Sequence, residues 1–176
     1  NLSYVEELSL YAGVFPVKYG NYISSVMDIR STEASDDFFL DLSLGLISSH
    51  ITFGESFNTN SQYLASYRSG GDLFRTNLFS FDAGDPSFDD LFLNMQHEFD
   101  DGTIIKGNLL HSKNTINLNL VDEDEIARAK YIDNNYWASI DKPITNGLRI
   151  EGVVFYQTNN TSRDGELFDD ELQGTI

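Results

Sequence analysis

Between Leu40 and Leu46 every second residue is leucine, with Asp41, Ser43 and Gly45 in the intervening positions. Successive side chains of a β-strand point to opposite faces, so this run has one apolar and one polar face. After Leu46 the apolar phase flips to Ile47, Ile51 and Phe53, with Ser48, His50 and Thr52 opposite. A slip of one residue moves a strand's side chains to the other face, which places a tight reversal or bulge near 47–49. Helical periodicity is hard to find anywhere in the chain. No apolar run approaches the ~18–20 residues of a membrane helix, so a chain of this kind that enters a bilayer does so as a closed barrel.

The two-residue period recurs downstream. Tyr63, Ala65 and Tyr67 alternate with Leu64, Ser66 and Arg68, and Leu91, Leu93, Met95 and Phe99 are spaced by Asn94, Gln96 and Glu98. Ile116, Leu118 and Leu120 alternate with Asn117 and Asn119. Leu148, Ile150, Val154 and Tyr156 alternate with Arg149, Glu151 and Gln157. Asp101-Gly102 and Asn146-Gly147 favour the φ > 0 conformations of type I′ hairpin turns. Between these tight turns lie longer polar stretches at 70–87, 121–129 and from 161 onward. Tight turns alternating with long acidic loops is the asymmetry of an outer-membrane barrel. Alternation by itself fits a soluble sandwich equally well, because it does not say which face is inside. Aromatic residues near strand ends (Phe38, Phe39, Tyr63, Phe99, Tyr136, Trp137, Phe155, Tyr156) suit an interfacial girdle but are also ordinary strand formers.

Charge and composition narrow the function. With 28 acidic against 11 basic residues and a formal net charge of −17, the chain is a poor partner for nucleic acid or for an anionic membrane surface, both of which reward Lys and Arg. There is no cysteine, which excludes disulfides, thiolate metal sites and thiol catalysis. His50, His97 and His111 stand singly, without metal-ligand spacing. Carboxylates cluster at Asp82/Asp85/Asp89/Asp90, at 122–125, and at Asp164/Glu166/169–171; Ca²⁺ prefers such oxygen ligands, but the spacing fits no calcium loop and solvated external loops are expected. Ser69-Gly70-Gly71 reads as a turn rather than a phosphate loop, and nothing has the order of a nucleophile elbow. No catalytic residue, cofactor or metal ligand is expected.

The segment from Val5 to Arg30 is the most specific in the chain. It carries Val5-Glu6, then Gly13, Phe15-Pro16, Tyr19-Gly20, Ser24-Ser25 and the strand-like Val26-Met27-Asp28-Ile29. Gly13 and Gly20 permit sharp turns and Pro16 fixes a loop conformation. This ordered set resembles the end of the plug domain in TonB-dependent outer-membrane receptors, in the variant found in Bacteroidetes-type bacteria. The resemblance marks Gly13, Pro16, Tyr19, Gly20, Ser24, Ser25, Val26 and Asp28 as structural plug-motif positions. It covers about a sixth of the chain, and the energy-coupling segment that binds TonB is not in it.

The resemblance implies an all-β chain: residues 1–32 as the C-terminal part of a plug, and 33–176 as an antiparallel meander forming the first strands of an incomplete transmembrane β-barrel. Seven strands are expected, at about 37–46, 49–57, 61–70, 88–99, 103–120, 130–141 and 147–159. It further implies a location in the outer membrane of a Gram-negative bacterium, in contact with its lipid. The implied activity is energised uptake of a siderophore, cobalamin, glycan or peptide, with the TonB complex as partner through a part of the plug outside this chain. Two other readings stay open: a small self-contained outer-membrane barrel with a structural or adhesive role, and a soluble β-rich periplasmic or extracellular binding module. The odd strand number and the charge of 166–171 predict an open sheet rather than a closed barrel.

Overall fold

A computed structural model describes residues 4–12, 25–32, 37–71, 85–120, 125–145 and 147–165. Among them there is no helix, only two antiparallel sheets. The first sheet pairs β1 (Val5–Ala12) with β2 (Ser25–Ser31). The second is a meander in strict chain order: β3 (Phe39–Leu44), β4 (Ser48–Asn58), β5 (Ser61–Gly70), β6 (Asp85–Glu98), β7 (Ile104–Leu120), β8 (Glu125–Thr145) and β9 (Leu148–Gly165). Every strand pairs with its neighbours in sequence, and β3 and β9 form the two edges. The expected seven strands and the open sheet are both present.

Three local expectations need correction. The phase flip is a reversal at 45–47 rather than at 47–49, because Leu44 already pairs with Ser49. Gly45 suits this bend: a Cβ there would lie 2.7 Å from the Ser48 carbonyl oxygen. The Asp101-Gly102 turn is not the two-residue type I′ form. Asp100 and Asp101 are the central residues, the Gly102 N–H donates to the Phe99 carbonyl at 2.8 Å, and Gly102 follows at φ +76°. That is a type I turn closed by a glycine bulge. Gly147, at φ +97°, does adopt the left-handed backbone that its turn requires; Asn146 lies outside the described residues.

The third correction concerns length. β6 begins at Asp85, β8 runs over Glu125–Thr145, and β9 continues to Gly165, so stretches expected as loop are strand. Polar side chains do not prevent this. A strand's backbone N–H and C=O groups need ladder partners whatever the side chains are, and β8 follows β7 along its whole length, from Ile104↔Asp141 to Leu120↔Glu125. Pro143, which has no N–H to donate, sits where the β8–β9 register shifts.

Glycines on β4 and β5 are covered by aromatic rings from the next strand. Phe39 stands opposite Gly54, and Phe88 opposite Gly70. A Cβ on Gly54 would approach the Phe39 ring to 2.9 Å, and one on Gly70 would meet the Phe88 ring. The ring supplies the packing that a glycine lacks in a strand.

Candidate functional site

Residues opposite one another across a ladder share a face, so the registers sort the large sheet into two surfaces. One carries Leu40, Leu42 and Leu44 of β3, Ile51 and Phe53 of β4, and Tyr63, Ala65 and Tyr67 of β5. It continues through Leu91, Leu93 and Met95 of β6, Ile105 and Leu109 of β7, Tyr136, Ala138 and Ile140 of β8, and Ile150, Val154 and Tyr156 of β9. The other carries His50, Thr52, Arg68, Ser66, Asp90, Asn94, Asn108, Ser112, Asp133, Asn135 and Gln157.

Burial is inverted with respect to polarity. On β4 to β6 the buried residues Thr52, Leu64, Ser66, Asp90, Phe92 and Asn94 all belong to the polar face. On the apolar face Leu42, Met95, Ile150, Val154 and Tyr156 are each more than half exposed. A soluble sheet buries the apolar side and solvates the polar one; strands β4–β6 do the reverse, while on the edge strand β9 both faces are exposed. Large contiguous exposed apolar surfaces mark contact with a membrane or another protein.

The apolar face is a slanted band. The ladder row through Leu42 runs Ile51, Tyr67 and Leu91, and then enters polar residues at His111, Asn134 and Thr158. The row through Val154 runs back through Ala138, Gly107, Met95 and Tyr63, and becomes polar at Glu55. From β3 to β9 the band centre moves from the Thr158 row to between the Val154 and Gly152 rows, four to six residues over six strand steps. With ~3.3 Å per residue and ~4.8 Å between strands, a level apolar band then requires strands tilted by roughly 25–35°. Membrane barrels tilt their strands by about 35–45°, so the upper end of this range reaches theirs.

The polar face satisfies its buried groups internally. Asp90 accepts from the Arg68 guanidinium (Nε at 2.9 Å, and Nη2) on one oxygen and from Ser112 Oγ at 2.8 Å on the other. Thr52 and Ser66 share a buried hydrogen bond of 2.8 Å, Asn94 donates to Asn108 at 2.7 Å, and His50 Nε2 lies 3.0 Å from Asp41. Arg68 also lies over the Phe88 ring, 4.5 Å from its centroid. Such pairing is what a desolvated polar surface needs, since an unpaired buried group costs roughly 1–3 kcal/mol.

Tyr4, just before β1, stacks on Phe92 with ring centroids 4.2 Å apart, and Phe92 in turn neighbours Trp137 at 6.2 Å. The segment leading into the small sheet therefore touches the polar face of the large one. Burial pushes the Tyr4 phenol pKa up, Asp90 adds to this, and Arg68 partly opposes it.

Of the eight motif positions, Gly13, Pro16, Tyr19, Gly20 and Ser24 lie outside the described residues. Ser25 opens β2 opposite Ala12, Val26 is buried at 9% exposure, and Asp28 is half-buried opposite Ser9. The sequence reading missed Tyr4, Phe92, Asp90 and Ser112. The strand expected at 88–99 already contains Asp89 and Asp90, but the sequence groups their carboxylates with solvated loop acids, whereas in β6 both are hydrogen-bonded. The available signal was Arg68 at a polar-face position of a strand, since such a charge requires a partner across the ladder. Among the described residues no group of His, Cys, Asp and Glu could hold a metal ion. Among the described residues no helix is long and apolar enough to cross a membrane.

No family model, curated protein or solved structure matches this chain.

Proposed function

We propose that this chain is part of a TonB-dependent outer-membrane receptor, with residues 1–32 as the end of the plug and β3–β9 as consecutive barrel-wall strands. The inverted sheet carries this reading: its apolar face is exposed and, on β4–β6, its polar face is buried and internally hydrogen-bonded. The slope of the apolar band and the plug-like Val5–Arg30 segment support it. In this reading the apolar face meets outer-membrane lipid and the polar face lines the lumen. Tyr4 on Phe92 is a contact between plug and wall. The plug occludes the lumen, a siderophore, cobalamin, glycan or peptide binds from outside, and the TonB complex pulls on the plug to open a path. No residue of the chain acts as a catalyst.

The reading is tested on the full-length protein in detergent. A folded barrel should show a heat-dependent shift in gel mobility, which a soluble sheet module would not. On whole cells, a cysteine at position 85 should react with a membrane-impermeant reagent and one at 101 should not; labelling at 101 alone would reverse the orientation.

A further inference from the structure

The chain enters and leaves the small sheet at the same end. β1 begins at Val5 and β2 ends at Ser31, and antiparallel pairing sets these two residues side by side. Just beyond them the Thr32 N–H donates to the Tyr4 carbonyl at 2.8 Å. From Thr32 the chain runs on to β3, the first strand of the wall. A ring contact ties this end of the ribbon to the wall. Tyr4 stacks on Phe92 of β6 with centroids 4.2 Å apart and planes 14° apart. Phe92 is 3% exposed and neighbours Trp137, so the ring that receives Tyr4 is itself held in place.

The ribbon's own side chains hold it lightly. Leu8, Leu10, Met27 and Ile29 share one face, and each is more than half exposed, so their burial contributes little. The Glu7–Arg30 ion pair, at 3.1 Å, is also exposed, and pairs of that kind add little stability. The register shifts between Val5 and Glu7, which puts a bulge beside the entry point. A two-stranded ribbon is marginal by itself in water.

We infer that Tyr4, seated on Phe92, is a clasp that holds the β1–β2 ribbon shut against tension, and that its release lets the ribbon unzip from Val5↔Ser31 inward. The inference rests on the receptor reading above, in which the chain before Tyr4 is pulled while the wall stays in the membrane. Antiparallel ladder bonds lie perpendicular to the strands. Tension between Tyr4 and Thr32 therefore acts along those bonds and loads them one at a time, where a pull on opposite ends would load the whole ladder together. The first bonds to feel it are the weakest, beside the bulge, and the stacked ring is what shields them. Once the ring leaves, residues 5–32 can pay out roughly 90–100 Å of extended chain. The wall begins at Phe39, after the ribbon, so β3–β9 keep their ladders while the ribbon opens.

The test is single-molecule force spectroscopy on the full-length protein in bilayers, pulled from a handle attached upstream of Tyr4. In the parent a rupture peak should precede an extension of roughly 90–100 Å. Tyr4→Ala should lose that peak and open the ribbon about tenfold faster at a given force, whereas Tyr4→Phe, which keeps the ring, should match the parent. Phe92→Leu should fall towards Tyr4→Ala. Leu10→Ala, in the middle of β1, should keep the first peak, because the load reaches it only after the clasp has gone. Equal peaks in the parent and Tyr4→Ala overturn the inference, as does loss of the peak in Leu10→Ala or a parent with no extension of that length. Heat-modifiable mobility is recorded for every variant. If the parent lacks it, the receptor reading has failed and the clasp falls with it; mobility intact with equal peaks defeats the clasp alone.

Discussion

At the scale of single residues, the most consequential group is the Arg68–Asp90–Ser112 cluster. Asp90 is 8% exposed, and its two oxygens are bound by different strands. Truncating Arg68 leaves a nearly buried carboxylate without its cation, which costs roughly 2–4 kcal/mol after allowing for Arg68's own partial exposure. Arg68→Ala should lower stability by about that amount in denaturant unfolding from detergent, and a change below ~0.5 kcal/mol would show the pair to be incidental. A second residue gives a pH signature. The Asp101 carboxyl is held below its ordinary 3.8 by Thr103, whose side chain lies beside it and whose N–H donates to it at 2.9 Å, and further by Lys142. The buried Thr103 hydroxyl itself makes no hydrogen bond, so the N–H is the firmer contact. A carboxyl lowered on folding adds stability that is fully present above its unfolded value and lost as pH falls through its folded one. Asp101→Asn should therefore be less stable than the parent near pH 7, converge on it as pH falls below about 4, and so show a flatter acid limb; an unchanged acid limb would remove this role. Neither residue's role was legible in the sequence. Asp90 sits among acids that look like a solvated loop, and only the register brings Arg68 and Ser112 to it.

At the scale of elements, what could be read was phase and what could not was extent. The alternation from Leu40 to Leu44 and from Leu148 to Tyr156 appears in the sheet as expected, because a period of two maps directly onto two faces. Strand ends were misjudged at Asp85, Glu125 and Gly165, where polar side chains on both faces look like loop while the backbone continues its ladder. Val153 and Phe155 were also unreadable. They place apolar side chains on the polar face of the edge strand β9, where each is more than 60% exposed. Glycine placement makes an element-scale prediction. Gly70 leaves room for the Phe88 ring from the neighbouring strand, and that ring also lies beneath Arg68. Gly70→Val should displace the ring and destabilise the β5–β6 pairing by about 1–3 kcal/mol, visible as faster amide exchange along both strands. Protection equal to the parent would mean that the wall absorbs the change.

At the scale of the whole molecule, the central claim is that the apolar face of the β3–β9 sheet lies against lipid in a slanted band and that the opposite face lines a lumen. Placing arginine at Val154, which is 70% exposed within that band, should then cost about 2–4 kcal/mol near the bilayer midplane. On a water-facing surface the same change would be close to neutral. The most direct test is a set of single labels on the full-length protein reconstituted in bilayers, read with a lipid-soluble and a water-soluble quencher. Labels at Leu42, Leu93 and Val154 should respond to the lipid-soluble quencher. Labels at Glu55 and Thr158 share their face but leave the band because of its slope, and with Glu151 on the opposite face they should respond to the aqueous quencher. Lipid quenching at Glu151 but not at Val154, or aqueous quenching at all six sites, would contradict the account.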